Sequence, residues 1–252
     1  MAIEKADAIV LRVIDFSESS AVVTLFTREF GKVRALAKGA RRPKGPFENS
    51  LDLLALCRIV LLRKSSDALD LLTEARLQRR FRPAERDLAS LYAGYYVAEL
   101  LSELTDDGDP HPELFDAAEF ALSELKAGRT IAPLVLHFEL AALRMLGHLP
   151  ELELCVECGT RVEPVAGRMA FGQLSGGLLC QECKLGKRKV VAVSVEVVQT
   201  LRAFAQAEGD AWRETEIDRR TRGELRAVLN QYLNDLVGHK LKMHAYLGTL
   251  GT

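Results

Sequence analysis

The sequence from residue 31 to residue 47 is GKVRALAKGARRPKGPF, a strand pattern that runs directly into a cationic loop. In its first seven residues, Lys32 and Arg34 fall on one face while Val33 and Ala35 fall on the other. Since successive side chains of a β-strand point to opposite faces, this alternation predicts a strand with one packed and one solvated face. The Gly and Pro residues that follow predict a turn-rich loop.

Four other segments of the first 80 residues have the composition of short strands. They are rich in Val, Ile and Leu, and turn sequences such as DFSESS and KSSD separate them. These segments are DAIVLRVI, AVVTLFT, LDLLALCRIVLLRK and ALDLLTEARL. Five strands within about 80 residues predict a small β-barrel.

From Leu88 onward the apolar residues recur with the period of an α-helix. We expect a central helix from Leu88, a second from about Leu114, a third from about Thr130 to Leu146, and two more in the last 60 residues. The predicted fold class is therefore α+β and multidomain. Its expected parts are a barrel at 1–80, a helical domain at 81–150, a four-cysteine module at 151–190 and C-terminal helices at 191–252 that complete the helical domain.

The charge of the chain is unevenly distributed. Its formal net charge is only -1, but residues 1–80 contain 15 Lys and Arg against 10 Asp and Glu. This asymmetry favours a nucleic-acid-facing N-terminal domain. The first residues lack the basic-then-apolar order of a signal peptide, and no apolar run approaches the roughly 18 residues of a membrane span. We therefore expect a cytoplasmic protein.

Four of the five cysteines form two C-x2-C pairs with 21 residues between them: Cys155 and Cys158, then Cys180 and Cys183. Two intervening residues let a tight turn bring both sulfurs of a pair to one metal, and two such pairs complete a closed tetrahedral site. The spacing predicts one structural zinc ion. The alternatives are two disulfides or four buried thiols. The fifth, Cys57, lies in an apolar segment and is interpreted as a core residue.

One motif in the sequence is partly consistent with an enzymatic role. His137-Phe138-Glu139, followed by Cys155 and Cys158, partly matches the zinc deaminase signature, but Pro150 does not adjoin the cysteines and the second cysteine pair would have no role. The sequence contains no phosphate-binding glycine loop, nucleophile elbow or dinucleotide fingerprint. We expect a protein that is not an enzyme.

The basic loop suits phosphate binding without sequence specificity, since phosphate contacts position a protein while base contacts specify. Phe26, Phe30 and Phe47 flank it and are either stacking residues or core residues. Two further basic groups carry the same two interpretations, namely phosphate contacts or solvated surface. They are Lys184, Lys187, Arg188 and Lys189, and Arg219, Arg220, Arg222 and Arg226.

The chain resembles the RecO recombination-repair mediators of bacteria. The similarity is carried by AIVLRVIDFSESSAVVTLFTREFGKVRALAKGARRP near the N-terminus, by YLNDLVGHKLKMHAYL near the C-terminus, and by the four-cysteine module between them. The resemblance implies an OB-fold, a helical domain and a zinc module. It also implies DNA binding through six basic residues: Lys32, Arg34, Lys38, Arg41, Arg42 and Lys44.

The resemblance further implies partners. They are single- and double-stranded DNA, the protein RecR, and the C-terminal tail of the single-stranded DNA-binding protein SSB. The implied activity is annealing of SSB-coated complementary strands and help in loading the RecA recombinase. Arg129 and Arg144 are candidate contacts for the SSB tail on the helical domain. The alternative hypothesis is a zinc-ribbon interaction protein with no direct DNA role.

Overall fold

The computed structural model describes residues 2–42, 45–47, 50–64, 69–83, 87–127, 131–206 and 211–247. The chain forms two compact units, residues 1–129 and 130–252. Strands β1 to β5 are Ala2–Asp15, Ala21–Thr27, Gly31–Ala37, Leu56–Arg63 and Asp70–Arg79. Helices α1 to α3 are Leu88–Leu104, Pro112–Lys126 and Ile131–Met145. The finer division at residues 80, 150 and 190 stays a prediction.

The remaining elements all belong to the second unit. Strands β6 to β8 are Arg168–Gly172, Gly177–Leu179 and Val190–Ser194. Helices α4 to α6 are Val195–Gln206, Arg219–Val237 and His244–Leu247, and a short 3-10 helix spans Ala211–Glu214. No helix in the described ranges has the length and apolar character needed to cross a membrane.

The first five strands form one sheet that closes on itself, which confirms the predicted five-stranded sheet followed by helices. Their order is β1-β2-β3-β5-β4, and β1 also pairs with β4, so every strand has two neighbours. Only β3 and β5 are parallel. The predicted alternation of β3 is confirmed, because Val33, Ala35 and Ala37 are buried while Arg34 is exposed.

The fourth strand is shorter than the segment predicted for it, 51–64. The strand begins at Leu56 because Leu54 has a left-handed backbone, with φ of 63°. The chain turns sharply there, and two backbone hydrogen bonds hold the turn against β1: Leu54 N–H donates to the Val10 carbonyl at 2.8 Å, and Val10 N–H donates to the Ala55 carbonyl at 3.0 Å. Apolar composition alone does not reveal such a turn.

The second unit packs its helices around a buried ion pair. Glu139 of α3 is fully buried, and its Oε1 accepts a hydrogen bond from Arg226 Nη1 of α5 at 2.7 Å. The ring of His137 stacks on Trp212 with 4.8 Å between centroids. Both polar residues of the His137-Phe138-Glu139 motif therefore have packing roles, and the cysteine cluster described below does not include His137. The deaminase hypothesis gains no support.

A glycine substitution tests how closely the helices approach the closed sheet. Gly31 has φ of 65°, and a Cβ there would lie 1.9 Å from the Asp109 carbonyl oxygen in the segment between α1 and α2. Gly108 has φ of 78°, but nothing lies within 4 Å of its Cβ position. We expect Gly108→Ala to lose about 1–2 kcal/mol through backbone strain alone. Gly31→Ala adds a backbone clash and is expected to lose about 3 kcal/mol or more.

Urea unfolding of the two variants beside the wild type measures this difference. Equal losses of stability in the two variants would show that the segment between α1 and α2 does not press on β3.

Candidate metal centre and nucleic-acid interface

Two short turns present the four cysteines. In the first, Cys155 N–H donates to the Thr160 carbonyl at 2.7 Å and Gly159 N–H donates to the Cys155 carbonyl at 2.8 Å. Gly159 has φ of 71°, the left-handed conformation that glycine adopts without strain. In the second, Lys184 N–H donates to the Cys180 carbonyl at 3.1 Å. In the sequence, β6 and β7 lie between the two turns and β8 follows the second, and the three strands form one sheet. Val156 N–H of the first turn donates a hydrogen bond to the Leu178 carbonyl of β7 at 3.0 Å, which joins this turn to the sheet.

The four sulfurs converge, as the spacing predicts. They all lie within 4.8 Å of one another, and Cys158 Sγ and Cys180 Sγ are 3.8 Å apart. Four sulfurs about 2.3 Å from a tetrahedral metal would lie about 3.8 Å from one another, so the donor set fits a metal ion with only a small contraction. All four cysteines are free thiols, so the disulfide alternative is not supported.

The thiols differ in how readily they lose their protons. Burial opposes ionisation of Cys155, but backbone N–H groups around it outweigh burial and lower the pKa of its thiol to about 6. The backbone N–H of Cys183 is the main cause of a lowered pKa at Cys180. Hydrogen bonds to the sulfurs of Cys180 and Cys158 raise the pKa of Cys183 to about 12. A bound cation would be needed to hold Cys183 as a thiolate at neutral pH, so metal affinity is expected to rise with pH.

The cysteine module is tied to two helices of its unit. Arg202 Nε of α4 donates to the Leu152 carbonyl at 2.8 Å, and the Tyr232 ring of α5 meets the Phe171 ring edge-on with 6.1 Å between centroids. Lys189 Nζ lies 2.6 Å from Asp235 Oδ1 of α5. Loss of the module's internal structure would therefore release contacts made by α4 and α5.

Removal of a metal ligand is expected to destabilise the protein. Cys155→Ser or Cys180→Ser should abolish stoichiometric metal in the purified protein and lower the free energy of unfolding by about 3 kcal/mol or more. The matched control is Cys57→Ala, because Cys57 is buried in the closed sheet, its Sγ lies 2.9 Å from the Ser50 carbonyl, and burial raises the pKa of its thiol to about 12. This control should keep the metal. Elemental analysis and thermal melts measure both quantities, and ligand variants that melt like the wild type would contradict a structural metal.

Two of the six predicted DNA-binding residues contact the segment at the end of α1. Lys32 Nζ donates to the carbonyls of Ser102 and Thr105 at 2.6 and 2.5 Å, and its side chain is 14% exposed. Carbonyls at a helix C-terminus have no partner within the helix and attract cations. Arg34 Nη2 lies 2.9 Å from Asp107 Oδ2. These contacts account for both cations without a ligand, and their contact with DNA stays a prediction.

The basic residues that follow β3 are exposed to solvent. Lys38, Arg41 and Arg42 are all exposed, and among the described residues neither Lys38 nor Arg42 forms an ion pair. Arg41 contacts the turn between β1 and β2: its Nη1 lies 2.9 Å from Asp15 Oδ2, and its N–H donates to the Ser19 carbonyl at 3.2 Å. Lys44 lies outside the described residues.

Of the three phenylalanines that flank the basic loop, two are core residues and the third packs against the core. Phe26 is fully buried and lies 6.3 Å from the ring of Phe115 in α2, and Phe47 is 3% exposed inside the closed sheet. Phe30 is half-buried beneath the Arg63 guanidinium, whose Cζ lies 5.6 Å from the ring centroid.

Sequence reasoning missed an exposed aromatic residue near the basic loop, Phe16 in the DFSESS turn. An aromatic side chain between two strands and among small polar residues is the signal that points to it.

Of the two candidate residues for binding the SSB tail, the structure describes one. Arg129 lies outside the described residues. Arg144 is exposed, and its Nη1 donates to the Ala205 carbonyl near the end of α4 at 3.0 Å. Three leucines of α3 that precede Arg144 in the sequence are buried and offer no apolar surface to a tail: Leu136, Leu140 and Leu143. The site for an SSB tail stays a prediction.

Several of the other basic residues also have partners inside their own unit. Lys187 Nζ lies 2.6 Å from Glu157 Oε1, and Lys184 contacts Gln181. Arg222 Nη2 donates to the Ile217 carbonyl at 3.0 Å. Arg188, Arg219 and Arg220 are exposed.

Comparison with known proteins covers nearly the whole chain. Residues 1–81 match the family model described as Recombination protein O N terminal, and residues 85–244 match Recombination protein O C terminal. A Rhodopirellula baltica protein is 48% identical over 198 residues, or 79% of this chain and 73% of its own length. A Myxococcus xanthus protein is 34% identical over 97% of both chains. A Symbiobacterium thermophilum protein is 32% identical over 99% of this chain and 98% of its own. All three carry the name DNA repair protein RecO.

Proposed function

Because this chain belongs to the RecO family of DNA repair proteins, we propose that it is a non-catalytic mediator that binds DNA and anneals complementary single strands coated by SSB. In this proposal it acts in the cytoplasm at the nucleoid, binds both single- and double-stranded DNA, and helps RecR to load RecA. Its partners are the DNA, RecR and the C-terminal tail of SSB.

The observation that carries this proposal is the exposed cationic loop at one end of a closed five-stranded sheet. We interpret the closed sheet as an OB-fold, a barrel that commonly binds nucleic acid strands. Lys38 and Arg42 are exposed, and no acid among the described residues pairs with either of them. Lys44 follows in the sequence and adds a fourth cation to the loop. Such charges contact phosphates without imposing a base sequence, as a protein that anneals any complementary pair requires.

Annealing follows from charge neutralisation. Two DNA strands repel each other through their phosphates, and cations that replace condensed counterions on both strands reduce this repulsion. Because base pairing itself supplies the free energy of annealing, the mechanism requires no nucleotide hydrolysis. Binding of the SSB tail, to which we assign Arg144 and Arg129, would hold the protein close to coated strands and raise its effective concentration there.

We assign the metal as one structural Zn²⁺ ion. Four thiolates and no open coordination position are typical of zinc sites that stabilise a fold, and Zn²⁺ prefers the tetrahedral arrangement that the four sulfurs approach. The four cysteines Cys155, Cys158, Cys180 and Cys183 would hold the ion. Zinc bound there would join two turns that are 21 residues apart in sequence and would so stabilise a small module.

Reversal of the loop charges tests the mediator proposal. Lys38→Glu/Arg42→Glu is expected to slow annealing of SSB-coated complementary oligonucleotides about tenfold or more, because each reversal replaces a phosphate contact with repulsion. Fluorescence-monitored annealing without ATP measures the rate. The matched control is Lys5→Glu/Lys126→Glu, which changes net charge equally at two exposed residues away from the loop.

Two outcomes would contradict the proposal. Equal slowing in the control variant would show that net charge, and not the loop, governs annealing. A wild-type protein that fails to anneal coated strands would remove the mediator role, and absence of salt-sensitive DNA binding would favour the zinc-ribbon interaction protein instead.

A further inference from the structure

We propose that Phe16 is a base-stacking residue for single-stranded DNA, beside phosphate contacts from Lys38 and Arg42. The inference rests on the proposed DNA-binding function and adds a strand-selective contact to it. The site lies where the turn of residues 16–20 meets the loop of residues 38–42, and we call it the turn–loop site.

Phe16 is exposed on an ordered turn. The residue is 65% exposed, although a phenyl ring normally gains free energy from burial. Two backbone N–H groups, of Phe16 and Ser17, donate to the Ser20 carbonyl at 2.9 and 3.1 Å, and Ser20 N–H donates to Ser17 Oγ at 3.2 Å. These bonds hold the turn in one shape, so its stable conformation presents the ring to solvent.

Strand register places Phe16 and Lys38 at the same end of the sheet. Asp15 pairs with Ala21 of β2, and Ala21 pairs with Ala37 of β3. Phe16 and Lys38 each follow one of these paired positions, so they leave the sheet at the same end, about two strand spacings or 10 Å apart. The two bonds from Arg41 to Asp15 and Ser19 then fasten the loop to the turn.

The charges around the ring favour a nucleic acid as its occupant. On the loop side lie Lys38 and Arg42, which no ion pair neutralises among the described residues, whereas Asp15 is neutralised by Arg41. Glu18 is exposed in the turn itself and would repel phosphates, so the backbone of a bound strand should follow the loop while a base lies on Phe16. An aromatic ring beside a cationic track is the usual arrangement for single-strand binding without sequence preference.

Stacking on Phe16 requires a base face that is free. In a duplex both faces of an internal base are covered by its neighbours, whereas an unpaired strand can present one to a protein ring. The contribution of Phe16 should therefore be specific to single strands, while the cations should act on both kinds of DNA.

Fluorescence anisotropy with a labelled oligothymidylate and with a duplex of equal length tests the inference on the full chain. Phe16→Ala and Phe16→Leu are both expected to weaken oligothymidylate binding about tenfold, with an unchanged slope of log affinity against log salt. Duplex binding should change by less than about twofold, since phosphate contacts remain. Phe16→Trp should bind like the wild type, and DNA should quench its added fluorescence relative to the wild type, whose own Trp212 is buried.

The control variant is Ile14→Ala, an exposed apolar residue of the same hairpin that lacks an aromatic face. It should bind both DNAs like the wild type. Phe16→Leu binding as well as the wild type would overturn stacking, because an aliphatic contact would then suffice. Equal losses for oligothymidylate and duplex in Phe16→Ala would overturn it as well. Wild-type protein that binds neither DNA would remove the proposed function itself, whereas salt-sensitive wild-type binding with unaffected Phe16 variants would remove only the stacking contact.

Discussion

The register of three neighbouring strands is the constraint on which the arrangement of the N-terminal unit depends. Asp15, Ala21 and Ala37 lie side by side in β1, β2 and β3, and this alignment brings the turn after β1 to the loop after β3. A slip of one residue would move Val33 and Ala35 out of the packed interior and put Arg34 into it. The apolar core therefore determines where the basic loop lies, although the exposed Lys38, Arg41 and Arg42 are not part of that core.

Ion pairing separates the basic residues into two groups. Lys32 and Arg34 lie on β3 and contact the segment at the end of α1, and Arg226 neutralises a buried carboxylate. Their charges stabilise the fold, and their replacement should cost stability as well as any binding. Lys38 and Arg42 have no comparable contact among the described residues. Exposed charges without partners contribute little to stability, so a polyanionic ligand is the simplest reason for their position.

The features that could be predicted from the sequence are those set by short-range rules. The C-x2-C spacing predicts the cysteine cluster because each pair of ligands is joined by one turn, and alternation predicts β3 because side-chain direction is a local property. Such rules do not predict contacts between residues that are far apart in the sequence. Lys32 contacts carbonyls about 70 residues away in the sequence, and Phe26 of β2 packs against Phe115 of α2. The proximity of Phe16 to the basic loop could not be predicted from the composition of its turn, because it depends on how the strands pair.

The most direct test of this account is the mapping of cross-links between the full-length protein and a single-stranded oligonucleotide that contains photoreactive iododeoxyuridine. Mass spectrometry of the digested complex identifies the peptides that touch the strand. The account predicts cross-links at Phe16 and in peptides that include Lys38 to Arg42. Cross-links confined to the second unit, at Lys184–Lys189 or Arg219–Arg222, would contradict it and move the DNA-binding surface to the cysteine module or to α5.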